Sequence, residues 1–227
     1  MNARDALCNL DAYNCWANSY PPLPHNPLMR AEQQAMLRHW PKVAGAHALD
    51  LACGTGRYAS ALAERGAAHA VAVDFSPAML RRASSPHRVR ADMMALPFAN
   101  GVFDVVVSGL AVGHAPDITL WMREAARVLV SGGVLLYSDF HPHACAAGMT
   151  RTFTDERHQK HTLSHNRYDL PDHQQAAAAA GLCVEVLDEL RVGTELQEPF
   201  PGSDLFYRRW HGLPIVLVIR ARKGSTC

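Results

Sequence analysis

The stretch Ala48-Leu49-Asp50-Leu51-Ala52-Cys53-Gly54-Thr55-Gly56-Arg57-Tyr58 decides the architecture of this chain. The apolar run from Ala46 to Leu51 has the length and composition of a buried strand. It enters two glycines one residue apart, and then a helical pattern from Tyr58 to Arg65 closed by Gly66. Glycine at such a turn lets the chain bend tightly and lets a ligand approach the main chain with no Cβ between them. The free N–H groups that open the helix point at the same spot. Gly54-Thr55-Gly56-Arg57-Tyr58-Ala59 also satisfies G-x-G-x-x-G/A, so the turn alone does not choose among nucleotide ligands. Asp50 narrows the choice. A carboxylate four positions before Gly54 opposes a pyrophosphate and suits a ligand that carries a sulfonium and an ammonium.

Outward from this turn the pattern repeats. Ala70 to Asp74 is a second short apolar strand ending in an acid, and Asp74 lies 18 positions after Gly56, where βαβ geometry sets a carboxylate against ribose hydroxyls. Ser76-Pro77 caps and opens the next helix. His87 to Asp92 is a weaker third strand, again closed by an acid, and Val105 to Ser108 is the fourth. Asp117 to Leu129 reads as an amphipathic helix, Ser131-Gly132-Gly133 as a turn, and Val134 to Ser138 as a fifth strand.

The D-x-A-x-G-x-G run, the loop Leu96-Pro97-Phe98 leading to Phe103-Asp104, and Arg127-Val128-Leu129 with Gly132-Gly133 resemble motifs of the class I S-adenosylmethionine-dependent methyltransferases, of the ubiquinone/menaquinone-biosynthesis kind. The resemblance covers about residues 46 to 139 by motif and the rest by pattern. It implies an α/β fold: a doubly wound, Rossmann-like sheet of seven mostly parallel strands with an antiparallel last strand. It implies S-adenosyl-L-methionine as cofactor and a small-molecule acceptor. Cofactor contacts fall by resemblance on Tyr13, Asp50, Ala52, Cys53, Gly54, Thr55 and Gly56 in the first part of the chain. They fall next on Asp74, Phe75 and Met79, on Asp92 and Met93 for the adenine, and on Ser108, Gly109 and Leu110 after the fourth strand. Ala52 stands where the first motif most often has glycine. Asp104, at the far end of its strand, reads as a structural cap.

His114 follows the fourth strand on the edge where acceptor and methyl must meet, and it is the candidate general base, an imidazole being suited to proton removal near neutral pH. Its alternative is a histidine that only packs beside the cofactor. Tyr20, His141 and Tyr168 are candidate acceptor contacts. The segment Tyr13-Asn14-Cys15-Trp16-Ala17-Asn18-Ser19-Tyr20 resembles the family's lid, or else is an aromatic stripe in a helix core. Pro21-Pro22-Leu23-Pro24 ends that helix, and Asn26-Pro27 opens another to about Trp40.

Four parts follow: a helical lid over 1–45, a cofactor-binding core over 46–140, an inserted acceptor-pocket segment over 141–170, and the rest of the sheet over 171–227. The third is polar and irregular by sequence. His141, His143 and Cys145, or His158, His161 and His165, tempt a metal reading, but neither set has a matching partner set, and no metal is expected. Pro171 to Ala180 is a helix, Cys183 to Val192 a strand, Glu195 to Gly212 a long connection, and Pro214 to Arg220 the final strand.

Composition removes other classes. With 22 basic and 21 acidic residues there is no global charge for a nucleic-acid or membrane partner, and Val107-Ser108-Gly109-Leu110 stands where a nucleic-acid methyltransferase carries its Asn/Asp-Pro-Pro-Tyr tetrad. No apolar run reaches a membrane span, no signal peptide opens the chain, and six scattered cysteines read as free thiols, together an expectation of the cytoplasm. Two further functions share the glycine turn: a nicotinamide oxidoreductase and a non-catalytic cofactor-binding regulator. Oligomeric state is not legible.

Overall fold

A computed structural model describes residues 8–197, 200 and 202–224. Residues 1–7 of the lid segment, and Cys227, lie outside the described residues. The sheet is built from β1 (His47–Leu51), β2 (His69–Asp74), β3 (His87–Arg90), β4 (Phe103–Ser108), β5 (Leu129–Phe140), β8 (Leu182–Arg191) and β9 (Pro214–Lys223). Its order is β3-β2-β1-β4-β5-β9-β8, and β9 runs antiparallel to both of its neighbours. The expected seven strands and antiparallel last strand are therefore present. A separate hairpin joins β6 (Thr152–Thr154) to β7 (Lys160–Thr162).

Side chains alternate across the strands, as a two-residue period requires. Leu49, Leu51, Val106, Leu135 and Tyr137 face one layer, which is filled by Trp121, Met122 and Ala125 of α5 (Ile118–Val128) and by Ala176 and Ala177 of α7 (Leu170–Ala179). Ala48, Val105, Val107 and Leu136 face the other, against Met36 of α2 (Pro27–Arg38) and Tyr58 and Leu62 of α3 (Arg57–Glu64). The sheet is thus covered on both faces, as parallel strands demand. Chain order reverses between β1 and β4, which opens a crevice at the carboxyl ends of the strands.

Helix starts follow local chemistry. Asn26 accepts from the Met29 amide before α2, Ser76 from the Met79 amide before α4 (Pro77–Arg82), and Asp117 from Thr119 and Leu120 before α5. Each is a short polar cap satisfying N–H groups that a helix leaves open.

Three expectations are corrected. The segment after β5 is not irregular throughout: it forms α6 (Pro142–Ala146) and the β6–β7 hairpin. The connection before β9 contains α8 (Ser203–Trp210), although its neighbours still hold β9 antiparallel. Finally, β5 begins at Leu129 rather than Val134, because it follows α5 without a loop and bends through Gly132 at φ +77°.

Candidate cofactor and acceptor cavity

A cavity of about 500 Å³ lies over the switch point between β1 and β4, within the usual span of small-molecule sites, roughly 300–1,000 Å³. Its floor is the glycine turn. Asp50, Ala52, Cys53, Gly54 and Thr55 line it directly. Gly54 has φ +56°, and a Cβ there would meet no atom within 4 Å, so the space above this residue belongs to the cavity. Gly56 does not line it: a Cβ at Gly56 would meet Ala83 Cβ at 3.3 Å, so its freedom serves packing against the end of α4. Ala52 reaches the left-handed region at φ +57° without being glycine, a conformation that costs an L-residue about 1 kcal/mol.

Asp74 ends β2 on the cavity wall, and its carboxylate accepts from the Gly54 amide at 2.8 Å and the Ser76 amide at 2.9 Å. It thereby ties the glycine turn to the second strand and holds a carboxylate at the rim in one orientation. Burial pushes its carboxyl up, against the lowering effect of those amides. Asp50 is buried, accepts from the Ala59 amide at 2.7 Å, and has no ion-pair partner among the described residues. Burial pushes its carboxyl up to about 7. Phe75, Asp92 and Met93 complete this side, with Asp92 exposed and its Oδ1 accepting from the Met94 amide.

Opposite the strand ends stands α1 (Asn9–Trp16), which presents Asn9, Tyr13 and Trp16 to the cavity, with Tyr20 just beyond it. The helix is held down by Ser76, whose hydroxyl donates to the Asn14 side chain at 2.7 Å, and by Arg82, which donates to the Ala17 carbonyl. Gly109, Leu110 and His114 come from the chain after β4.

His114 has a defined tautomer. Its Nδ1 lies 2.9 Å from the Ser164 carbonyl oxygen, which only accepts, and its Nε2 faces the Arg151 guanidinium, which only donates, so Nδ1 carries the proton; the Asn9 side-chain amide lies 3.1 Å from the same Nδ1. Nε2 then accepts from the Tyr13 hydroxyl at 2.8 Å, and Arg151 Nη1 lies 3.1 Å from the same nitrogen. Burial first, then the Arg151 charge and His165, hold this imidazole well below its ordinary pKa, so it is neutral near pH 7.

Several expected residues lie off the cavity wall. Met79 is fully buried with Ala17 and Ala78 beneath α1, because its position on α4 points into the lid's own small core. Ser108 turns its hydroxyl back to the Leu51 carbonyl at 2.8 Å, bridging β4 and β1. His141 caps α6 and pairs with Glu189 at 2.8 Å, and Tyr168 donates to the Ala115 carbonyl at 2.7 Å, and neither lines the cavity. Asp104 accepts from the His47 amide at 2.8 Å, the structural role expected of it.

Other residues were not singled out from the sequence. Arg151 lines the cavity and donates to the Leu110 carbonyl at 2.7 Å; it sat in a polar stretch with no motif around it. Glu32, fully buried, accepts from Arg57, Tyr58 and Ser138 at 2.7 Å each. Its signal was readable: an acid on the stripe formed by Met29, Ala35 and Met36 on α2 must find partners inside.

A doubly wound sheet with a glycine cradle and strand-end acids at its switch point defines a nucleotide-cofactor-binding α/β protein. A family model described as "Methyltransferase domain" matches residues 49–137, the part of the chain whose motifs resemble the class I S-adenosylmethionine-dependent methyltransferases of the ubiquinone/menaquinone-biosynthesis kind. It is 38% identical over 145 residues to a malonyl-[acyl-carrier protein] O-methyltransferase from Dechloromonas aromatica, covering 63% of this chain and 53% of that one. It is 43% identical over 100 residues to a demethylmenaquinone methyltransferase from Corynebacterium urealyticum, covering 42% of each. The matched part therefore spans about half the length of these relatives. An S-adenosylmethionine-dependent methyltransferase from Mesorhizobium loti shares the fold at a TM-score of 0.70 and 23% identity, over 85% of this chain and 97% of that one.

Proposed function

We propose that this protein transfers a methyl group from S-adenosyl-L-methionine to a small-molecule acceptor. The observation that carries the reading is Asp50: a buried carboxyl on the cavity wall, paired to no cation among the described residues, beside a glycine cradle. A nicotinamide dinucleotide has no use for a carboxylate there, whereas a cationic amino-acid moiety does. Gly54 and Thr55 would hold the cofactor against the main chain, Asp74 would accept from its ribose hydroxyls, and Asp92 and Met93 would flank its base. The bound cofactor supplies a methyl already activated by its sulfonium.

The protein's own part is positioning and exclusion of water. Tyr13 and Trp16 close the cavity from above, and their aromatic faces favour a cationic centre. His114 holds the Tyr13 hydroxyl through a lone pair that is already engaged, so we assign it to positioning rather than to proton removal. Among the described residues no helix is long and apolar enough to cross a membrane. With five thiols free among the described residues, we place the activity in the cytoplasm.

Calorimetric titration tests the cofactor. S-adenosylhomocysteine is expected to bind and NAD or NADP is not; the reverse would replace methyl transfer by hydride transfer. Extract incubated with the protein and methyl-labelled cofactor should then show label in a small molecule. Cofactor binding without label in any small molecule would point to the non-catalytic regulator.

A further inference from the structure

We propose that the acceptor bears a carboxylate, and that Arg151 recognises it. The inference rests on the methyl-transfer reading and names the substrate class of the same cavity. Arg151 immediately precedes β6 and faces the cavity from the hairpin side, whereas Asp50, Asp74 and Asp92 stand at the ends of the first three strands. Its Nη1 is occupied by the Leu110 carbonyl at 2.7 Å and His114 Nε2 at 3.1 Å. The edge formed by Nε and Nη2 makes no protein hydrogen bond among the described residues, and Arg151 takes part in no ion pair there. The cavity's other arginine, Arg57, is by contrast neutralised by Glu32 at 2.7 Å.

This leaves, on the hairpin side of the cavity, a guanidinium with no anionic partner among the described residues. A charge in a partly enclosed cavity is stabilised when an opposite charge enters beside it. The groups around Arg151 select the kind of anion. His114 is neutral, its Nε2 turned to Tyr13 and Arg151, and Tyr13 is a half-buried phenol whose pKa is raised, so Arg151 is the one positive charge of this group that faces the ligand. A carboxylate matches that single charge and fits the planar free edge in a bidentate pair; a phosphoryl dianion would bring a second buried negative charge with no partner. Arg151 is fixed from behind by Leu110 and His114, so the edge is presented in one orientation before the acceptor arrives.

The test is calorimetry on the whole protein saturated with S-adenosylhomocysteine. Acetate, benzoate and octanoate are each compared with their primary amides, and benzoate also with phenylphosphonate. At least one carboxylate is expected to bind about tenfold or more tighter than its amide, a charge-assisted gain, and benzoate tighter than phenylphosphonate. Arg151→Gln should erase the preference while S-adenosylhomocysteine affinity stays within about threefold, and Arg151→Lys should keep part of it. The proposal is overturned if no carboxylate outbinds its amide, if phenylphosphonate outbinds benzoate, or if Arg151→Gln keeps the preference. The carboxylate–amide comparison on the parent protein stands even if the glutamine variant fails to fold. Failure of S-adenosylhomocysteine to bind the parent would instead strike the methyl-transfer reading itself.

Discussion

At the scale of single residues, three titratable groups on the cavity wall carry distinct predictions. Asp74 orders the turn through Gly54 and Ser76 and is proposed to accept from ribose hydroxyls as well. Asp74→Asn keeps an acceptor oxygen but loses charge, so S-adenosylhomocysteine should bind roughly tenfold weaker, the worth of a charge-assisted bond. Unchanged affinity by calorimetry would place the ribose elsewhere. Asp50 makes binding depend on pH. Burial raises its carboxyl from 3.8 to about 7, so between those values the free folded protein holds a proton that the unfolded chain does not. That contribution to stability is present at low pH and is lost as pH rises through 7. A cationic ligand favours the carboxylate, so below pH 7 binding must expel the proton. Affinity should therefore rise with pH, by up to about tenfold per unit, and level off above 7. Asp50→Asn should flatten that slope, and a slope that survives the substitution would belong to another group. For His114 the shift runs the other way: its folded pKa lies well below 6.5, so it does not gain charge near neutrality. With cofactor and acceptor both saturating, the pH profile of kcat should accordingly show no inflection near 6.5, and one that His114→Gln removed would restore the histidine as a general base.

At the scale of elements, the motifs that made the family legible divide into ligand-facing and structural ones. Arg127 and the Leu96–Phe98 loop belong to the second kind. The Arg127 guanidinium donates to the carbonyls of Leu96 at 3.0 Å and Phe98 at 2.7 Å, and pairs with Glu124, which itself accepts from the Leu96 amide at 2.6 Å. Two motifs some thirty residues apart are thus one clamp that holds the entry to β4 against α5. Arg127→Ala leaves loop carbonyls and Glu124 without their donor and should cost about 1–3 kcal/mol in urea unfolding, with cofactor affinity nearly unchanged. A neutral effect would make the clamp ornamental. The strands and caps were readable because two-residue alternation, Ser-Pro and Asn-Pro starts, and strand-end acids are local signals. Gly56, Met79 and Ser108 misled for one reason: a motif gives the position of a residue, while the direction its side chain takes is set by neighbours distant in sequence. For Gly56 that neighbour is Ala83, for Met79 the underside of α1, for Ser108 the Leu51 carbonyl. Arg151 was hidden for the complementary reason. Its role arises only when the hairpin folds back over the sheet, and nothing within the polar stretch around it has a period or spacing to announce that.

At the scale of the whole molecule, α1 and the β6–β7 hairpin form a unit apart from the two sheet layers, whereas α2, although it falls in the expected lid over 1–45, packs in one of those layers. Ala12, Phe153 and Leu163 make a small core of their own, with Tyr13, Cys15 and Trp16 packed on it. Trp16 stacks on Phe153 with ring centroids 4.7 Å apart and planes 13° from parallel, and Phe153 stacks in turn on His161. This unit covers the cavity but contributes little to the layers that hold the sheet. A region with few buried contacts to the main core opens at lower free energy than the global unfolding reaction, so access to the cavity is expected by opening of this unit while the sheet stays folded. Trp16→Ala removes the ring that joins its two halves. The cost to the closed unit should be about 2–3 kcal/mol, less than a full core truncation because Trp16 is only partly buried. Hydrogen exchange over residues 9–20 and 150–163 should then quicken by roughly 30- to 150-fold, while β1, β4 and β5 keep their protection. Saturating S-adenosylhomocysteine should slow the same segments in the parent protein, because a ligand that binds only the closed form adds its binding free energy to the cost of opening. If exchange quickened evenly through the sheet, or if the ligand protected the sheet and not these segments, α1 and the hairpin would be part of the main folding unit and the cavity would fill by another route.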